Sequence, residues 1–195
     1  MELDSCNSSD ALLMNIFCHP HVPRSGKVCA LLGVETGATP KFGYRAKVPL
    51  ANGLCDRTEV DMQLGNLLIE AKLTETDFQR ASKCELSKYR DFLDVFDNER
   101  LPQTETHYLS YQLLRNVLAA HALRCSFCVL LDARRPDLQE AWYAVMMCVK
   151  PVQLRTALRV LTWQELALVL PRKLQAFLGD KYGICSGGIS PAHFG

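Results

Sequence analysis

Asp61, Glu70 and Lys72 are the residues of this sequence whose types and spacing could carry chemistry. Around the first of them polar and apolar residues alternate, with Glu59, Asp61 and Gln63 on one face and Val60, Met62 and Leu64 on the other, as a half-buried strand requires. Gly65-Asn66 follows, a dipeptide that favours the positive φ angles of a tight hairpin turn. A two-residue loop fixes the pairing: Leu64 with Leu67, Met62 with Ile69, Asp61 with Glu70 and Glu59 with Lys72. The run Leu67-Leu68-Ile69 marks the return strand as central rather than edge. Two carboxylates then face each other with Cβ atoms about 4.5–5.5 Å apart, beside a lysine. Like charges across a ladder are unfavourable, and a divalent cation between them removes the conflict. Two oxygen ligands suit Mg²⁺, which keeps several of its waters. Such an ion lowers the pKa of a bound water.

These residues resemble the signature of the PD-(D/E)XK nuclease superfamily, an acidic residue on one strand and (D/E)-X-K on the next. Here they are Asp61 and Glu70-Ala71-Lys72, with Glu-Val-Asp where many members have Pro-Asp and with a shorter gap than usual. The resemblance implies an α/β fold of the restriction-endonuclease type, a three-layer core in which helices flank a mixed central β-sheet. It also implies a Mg²⁺-dependent nuclease (Mn²⁺ as a substitute) that hydrolyses phosphodiester bonds of nucleic acid, with DNA the expected substrate. Asp61 and Glu70 would hold the metal, the backbone carbonyl of Ala71 would be a further ligand, and Lys72 would position or activate the attacking water. The family often uses a glutamate from the helix before the sheet, and Glu35 is the candidate for it. A glutamine or tyrosine from the helix after the lysine strand often reaches the site, which points to Gln112 and Tyr108. The rival reading is a nuclease fold that binds a nucleic acid or protein partner without cleaving it.

Several elements must position these side chains. Ser8-Ser9-Asp10 caps a first helix stopped by Pro20, and Lys27 to Gly33 reads as a second. Residues 43–50 alternate as a first strand, with Arg45 and Lys47 on one face where they could meet a phosphate backbone. Thr74 to Asp77 resembles a capping box, so an exposed helical segment of charged residues is expected after it. His107 to Leu123 has the apolar spacing of one long helix, Ser126 to Asp132 that of a buried strand, and Pro136 opens another helix. Residues 154–161 alternate as a strand that would put Arg155 and Arg159 on one face. Thr162-Trp-Gln-Glu165 is a capping box for a last helix bent at Pro171, followed by an irregular tail.

The chain has 195 residues, 48% of them hydrophobic, which predicts a globular protein with one domain over 1–195. The net charge of +1 gives no electrostatic case for nucleic acid from the total, so basic surface must be local. Nine cysteines without an export signal read as reduced thiols, several buried as small hydrophobes. The acidic, polar N-terminus and the lack of a long apolar run predict a soluble, cytoplasmic protein without membrane contact. The oligomeric state is open, a homodimer included.

Overall fold

The turn at Gly65-Asn66 forms as expected, with Gly65 at φ 57°, and it fixes the register of the central hairpin. The computed structural model describes residues 8–185; the residues before and after, including most of the expected tail, lie outside it. Helix α1 (Ser9–Phe17) starts where the Ser8 side chain accepts from the Ala11 amide, and α2 (Gly26–Leu32) is capped in the same way by Ser25. Strands β1 (Pro40–Pro49), β2 (Cys55–Leu64) and β3 (Leu67–Ala71) follow as an antiparallel meander. Short elements come next: β4 (Arg80–Ser82), α3 (Lys83–Leu86), α4 (Phe92–Val95) and β5 (His107–Leu109). The long helix α5 (Tyr111–Leu123) leads into β6 (Ser126–Leu131), α6 (Pro136–Met146) and α7 (Val152–Thr156). Strand β7 (Leu158–Thr162) and helices α8 (Trp163–Val169) and α9 (Arg172–Tyr182) complete the described chain.

The main sheet has the order β1-β2-β3-β6-β7, antiparallel on the β1 side and parallel from β3 to β7. It is therefore mixed, and every residue of β3 is buried, as a central strand requires. Side chains alternate across it. Leu67, Ile69 and Ala71 pack with α1, α2, α8 and α9 on one face, around Ile16, Leu32, Trp163 and Leu178. Leu68, Phe127 and Val129 pack on the other with α5 and α6, around Leu114, Val117 and Trp142. The result is the restriction-endonuclease-like three-layer core. Glu70 and Lys72 share the Leu68 face, so they point toward α5.

Four expectations for the elements are corrected. The charged segment after Thr74 is not a long exposed helix. Asp77 accepts from the Gln79 amide instead of opening a helix, and Phe78, Leu86, Phe92 and Val95 are drawn into the core, which breaks the segment into short pieces. The helix expected from His107 begins only at Tyr111, because Ser110 takes a left-handed φ of 59° and the residues before it pair with β4. Tyr108 is thereby buried against Ala81 and Phe92 and is not at the site. Residues 154–161 divide into α7 and β7, so Arg155 and Arg159 share no strand face. Arg159 donates to the Leu32 carbonyl at 2.6 Å and so serves packing between layers. The capping box at Thr162 and Glu165 is present, and Pro171 separates two helices rather than bending one.

Among the described residues no helix is long and apolar enough to cross a membrane, and the cysteines are free. Burial pushes the Cys125 thiol up to about 11 and the Cys128 thiol up to about 12, so both are protonated at neutral pH.

Candidate active site

Asp61 and Glu70 come together because β2 and β3 part at this point. The backbone ladder runs Leu64–Leu67, Gln63–Leu68, Met62–Ile69 and then stops. One step on, the same register places Asp61 against Glu70. The Ala71 amide, which a continued ladder would send to Val60, donates instead to Asp61 Oδ2 at 2.7 Å. The aspartate thus replaces a backbone acceptor where the strands diverge. On its other side the β1–β2 ladder pairs Phe42 with Met62 and Tyr44 with Val60 but skips the pair between, Gly43 with Asp61. Gly43 has φ 55° and no side chain, which leaves the β1 edge of Asp61 open.

Glu70 is held from two sides. Its Oε1 lies 2.9 Å from Lys72 Nζ, and its Oε2 accepts from Asn116 Nδ2 at 2.7 Å. Both side chains of the ion pair are nearly closed to solvent, 4% exposed for Glu70 and 7% for Lys72. The Lys72 backbone is fixed as well, its amide donating to Leu130 and its carbonyl accepting from Trp163 Nε1, each at 2.8 Å. Its ammonium sits 5.6 Å from the centre of the Phe78 ring. The Glu59–Lys72 pairing expected from a continued hairpin does not form; Glu59 is bound by Arg45 at 3.1 Å across β1 and β2.

Asp61, Glu70, Ala71, Lys72 and Gln112 line one cavity of about 530 Å³, at the carboxyl end of β3. Gln112 stands one helical turn before Asn116 on α5, and its Oε1 is buried with no partner among the described residues. Glu35 is not brought to this cavity. It lies exposed beyond the end of α2, whereas Asp10 on α1 lines the cavity beside Asp61. Glu75 closes the far wall, accepting from the Leu73 and Thr74 amides and from the Ser9 hydroxyl. Asn116 had a sequence signal, since it follows Gln112 by four residues and so shares its helix face. Asp10 had none, because its place depends on how α1 docks across the sheet.

Burial raises the Asp61 carboxyl well above its usual range, and the charge of Glu70 adds to that, with the Ala71 amide working against it. Burial also raises Glu70, although Lys72 and Asn116 favour its ionised form. For Lys72 burial alone would lower the pKa, but the Glu70 charge and hydrogen bond, followed by Asp61, outweigh it and leave the ammonium stabilised. Two carboxyls brought together in a polar cavity, where burial disfavours their charged forms, fit a cation. Among the described residues no group of three or more His, Cys, Asp or Glu side chains is gathered to hold a metal ion. Two carboxylates with a carbonyl and water nevertheless match the small protein share that Mg²⁺ takes.

A pH dependence follows. The folded-state pKa of Asp61 lies above its unfolded value near 3.8, so its contribution to stability is full below that pH and is lost as pH rises through the raised value. Asp56, Glu75 and Asp132, whose carboxyls are lowered, contribute in the opposite sense. They are common to wild type and to Asp61→Asn. The melting-temperature difference between the two proteins should therefore shift in favour of the variant from about pH 4 to about pH 8. A difference that does not change with pH would contradict this electrostatic picture.

No curated protein and no solved structure matches the chain. Residues 1–183 match the family REase-ARP, described as Restriction Endonuclease associating with ARP. The match covers the sheet, both helical layers and every residue of the cavity, and the chain belongs to the REase-ARP family within the restriction-endonuclease-like PD-(D/E)XK superfamily.

Proposed function

We propose that the protein is a metal-dependent nuclease that hydrolyses phosphodiester bonds of nucleic acid, with DNA as substrate. The observation that carries this reading is the convergence of Asp61, Glu70 and Lys72 in one cavity where the strands diverge. Asp61, Glu70 and the Ala71 carbonyl would hold Mg²⁺ or Mn²⁺. When bound, the ion supplies charge neutralisation at the scissile phosphate and a lowered pKa for water.

The chain's own residues have separate tasks. Lys72 carries a fixed positive charge from Glu70 to the cavity, where it can hold a phosphate oxygen or orient the attacking water. Asn116 keeps Glu70 in one rotamer. Gln112 offers a buried acceptor, suited to the hydrogen of a water molecule beside the phosphate. Phe78 screens the lysine on the loop side. The association with ARP named in the family description is carried over to this chain as part of the same proposal.

One observation favours the rival, a nuclease fold that binds without cleaving: both oxygens of Glu70 already have partners. Each carboxylate oxygen has a second lone pair, so these partners do not bar an ion. The deciding assay incubates the purified protein with labelled DNA in Mg²⁺, Mn²⁺ or EDTA. Metal-dependent cleavage that disappears in Glu70→Ala supports the nuclease. Binding without cleavage under all three conditions supports the rival.

A further inference from the structure

Beside the carboxylates a second cavity, of about 340 Å³, shares Asp61, Glu70 and Gln112 with the first and is bounded at its far end by Arg57 and Arg115. Arg57 faces Lys47 directly across the β1–β2 ladder, and both are exposed. Like charges at that spacing repel. Neither side chain has a hydrogen-bonded or ion-paired partner among the described residues, whereas Arg45, two pairs along, is taken by Glu59. Arg115 is prepositioned from behind. Its Nη2 donates to Asp56 at 3.0 Å and its guanidinium lies 5.2 Å from the centre of the Tyr111 ring. Asp56 in turn accepts from Tyr89 at 2.7 Å and Thr58 at 2.9 Å. The Nε of Arg115 is buried and has no partner. The basic end of the cavity thus holds two exposed cations without a partner, Arg57 and Lys47, beside an Arg115 that Asp56 fixes in place.

We propose that Arg57, with Lys47 beside it and Arg115 behind, forms a subsite for a backbone phosphate of the nucleic acid, several nucleotides from the phosphate at Asp61 and Glu70. The proposal rests on the nuclease-fold reading and adds to it a direction for the strand, along β2 toward its N-terminal end. Arg57 and Asp61 are four residues apart on β2, about 13 Å along an extended strand. That is about four steps of a duplex at 3.4 Å each. A free phosphate or a mononucleotide does not bridge both ends; a polynucleotide does.

The test is fluorescence anisotropy with a labelled DNA carrying a duplex and a single-stranded tail, in EDTA, across a salt series. The proteins are wild type, Arg57→Gln/Lys47→Gln and Lys41→Gln. Lys41 is an exposed lysine of the same strand as Lys47, on the other side of Asp61, and serves as the control. The double variant should bind about tenfold more weakly at moderate salt, and its slope of log K against log salt should be smaller by about 1 to 2. Lys41→Gln should stay near wild type. The double variant should melt no lower than wild type, since it removes a repulsive pair. An unchanged slope, an equal loss in Lys41→Gln, a double variant that melts well below wild type, or no DNA binding by wild type would each overturn the subsite. Since no metal is present, the two readings separate. Cleavage with an unchanged slope sinks the subsite alone, and a changed slope without cleavage sinks the nuclease alone.

Discussion

Asp61→Asn is expected to leave the protein folded and to lower Mg²⁺-dependent DNA cleavage by at least about 10²–10³-fold, the loss typical when one electrostatic element of an active site is removed. The substitution is chosen for what it keeps. Asparagine has the same shape, and its carbonyl oxygen can still accept the Ala71 amide that Asp61 holds at 2.7 Å. What it removes is the charge opposed to Glu70. Relief of that repulsion should stabilise the metal-free protein by about 0.2–1 kcal/mol, the scale of a cross-strand pair. Wild type should gain melting temperature on addition of Mg²⁺, because a ligand that binds only the folded state stabilises it. The variant should gain much less. Measured together, cleavage rates and thermal melts with and without Mg²⁺ distinguish a metal ligand from a structural aspartate. A variant that is less stable without metal and keeps both its cleavage and its Mg²⁺ response would show that Asp61 only closes the hairpin.

Lys72→Ala should have the largest effect on stability, a loss of about 3–5 kcal/mol, because it leaves Glu70 buried without its counter-charge. The cost should be greatest at neutral and alkaline pH. Without the lysine the Glu70 carboxyl is driven further up, and a folded-state pKa above the unfolded one means that stability is lost as pH rises. Glu70→Gln should rescue part of the loss, since the amide carbonyl can still accept from Asn116 while the uncompensated charge is gone. Denaturant unfolding of the two single variants and the double variant gives the coupling, expected at about 1–3 kcal/mol. A Lys72→Ala loss below about 1 kcal/mol would mean that the pair behaves as a solvated surface bridge.

Much of the site could be read from the sequence because it depends on short-range rules. Gly65-Asn66 sets the turn, the turn sets the register, and the two-residue alternation of a strand puts Glu70 and Lys72 on one face. The Thr162–Glu165 box is local in the same sense. The separation of the strands at Asp61 was not legible, since it arises where a side chain displaces a backbone acceptor. Asp10 escaped for a different reason. It precedes Asp61 by fifty-one positions and reaches it only through the packing of α1 on the far face of the sheet. Glu35, at the end of the helix before the sheet, matches the family's pattern by position alone, and the chain leaves it exposed beyond α2. The segment from Thr74 onward misled through its charge. Phe78, Leu86, Phe92 and Val95 are buried there in one core cluster with residues of α5 and β1, which no local pattern encodes.

Crystals soaked in Mn²⁺ and measured at a wavelength where manganese scatters anomalously show whether Asp61 and Glu70 hold a metal ion. An anomalous peak is expected within ligand distance of Asp61 and Glu70, on the Ala71 carbonyl side, and it should disappear in Asp61→Asn crystals treated in the same way. No peak at this position at a manganese concentration that saturates any cleavage activity, or a peak that persists unchanged in the variant, would contradict it.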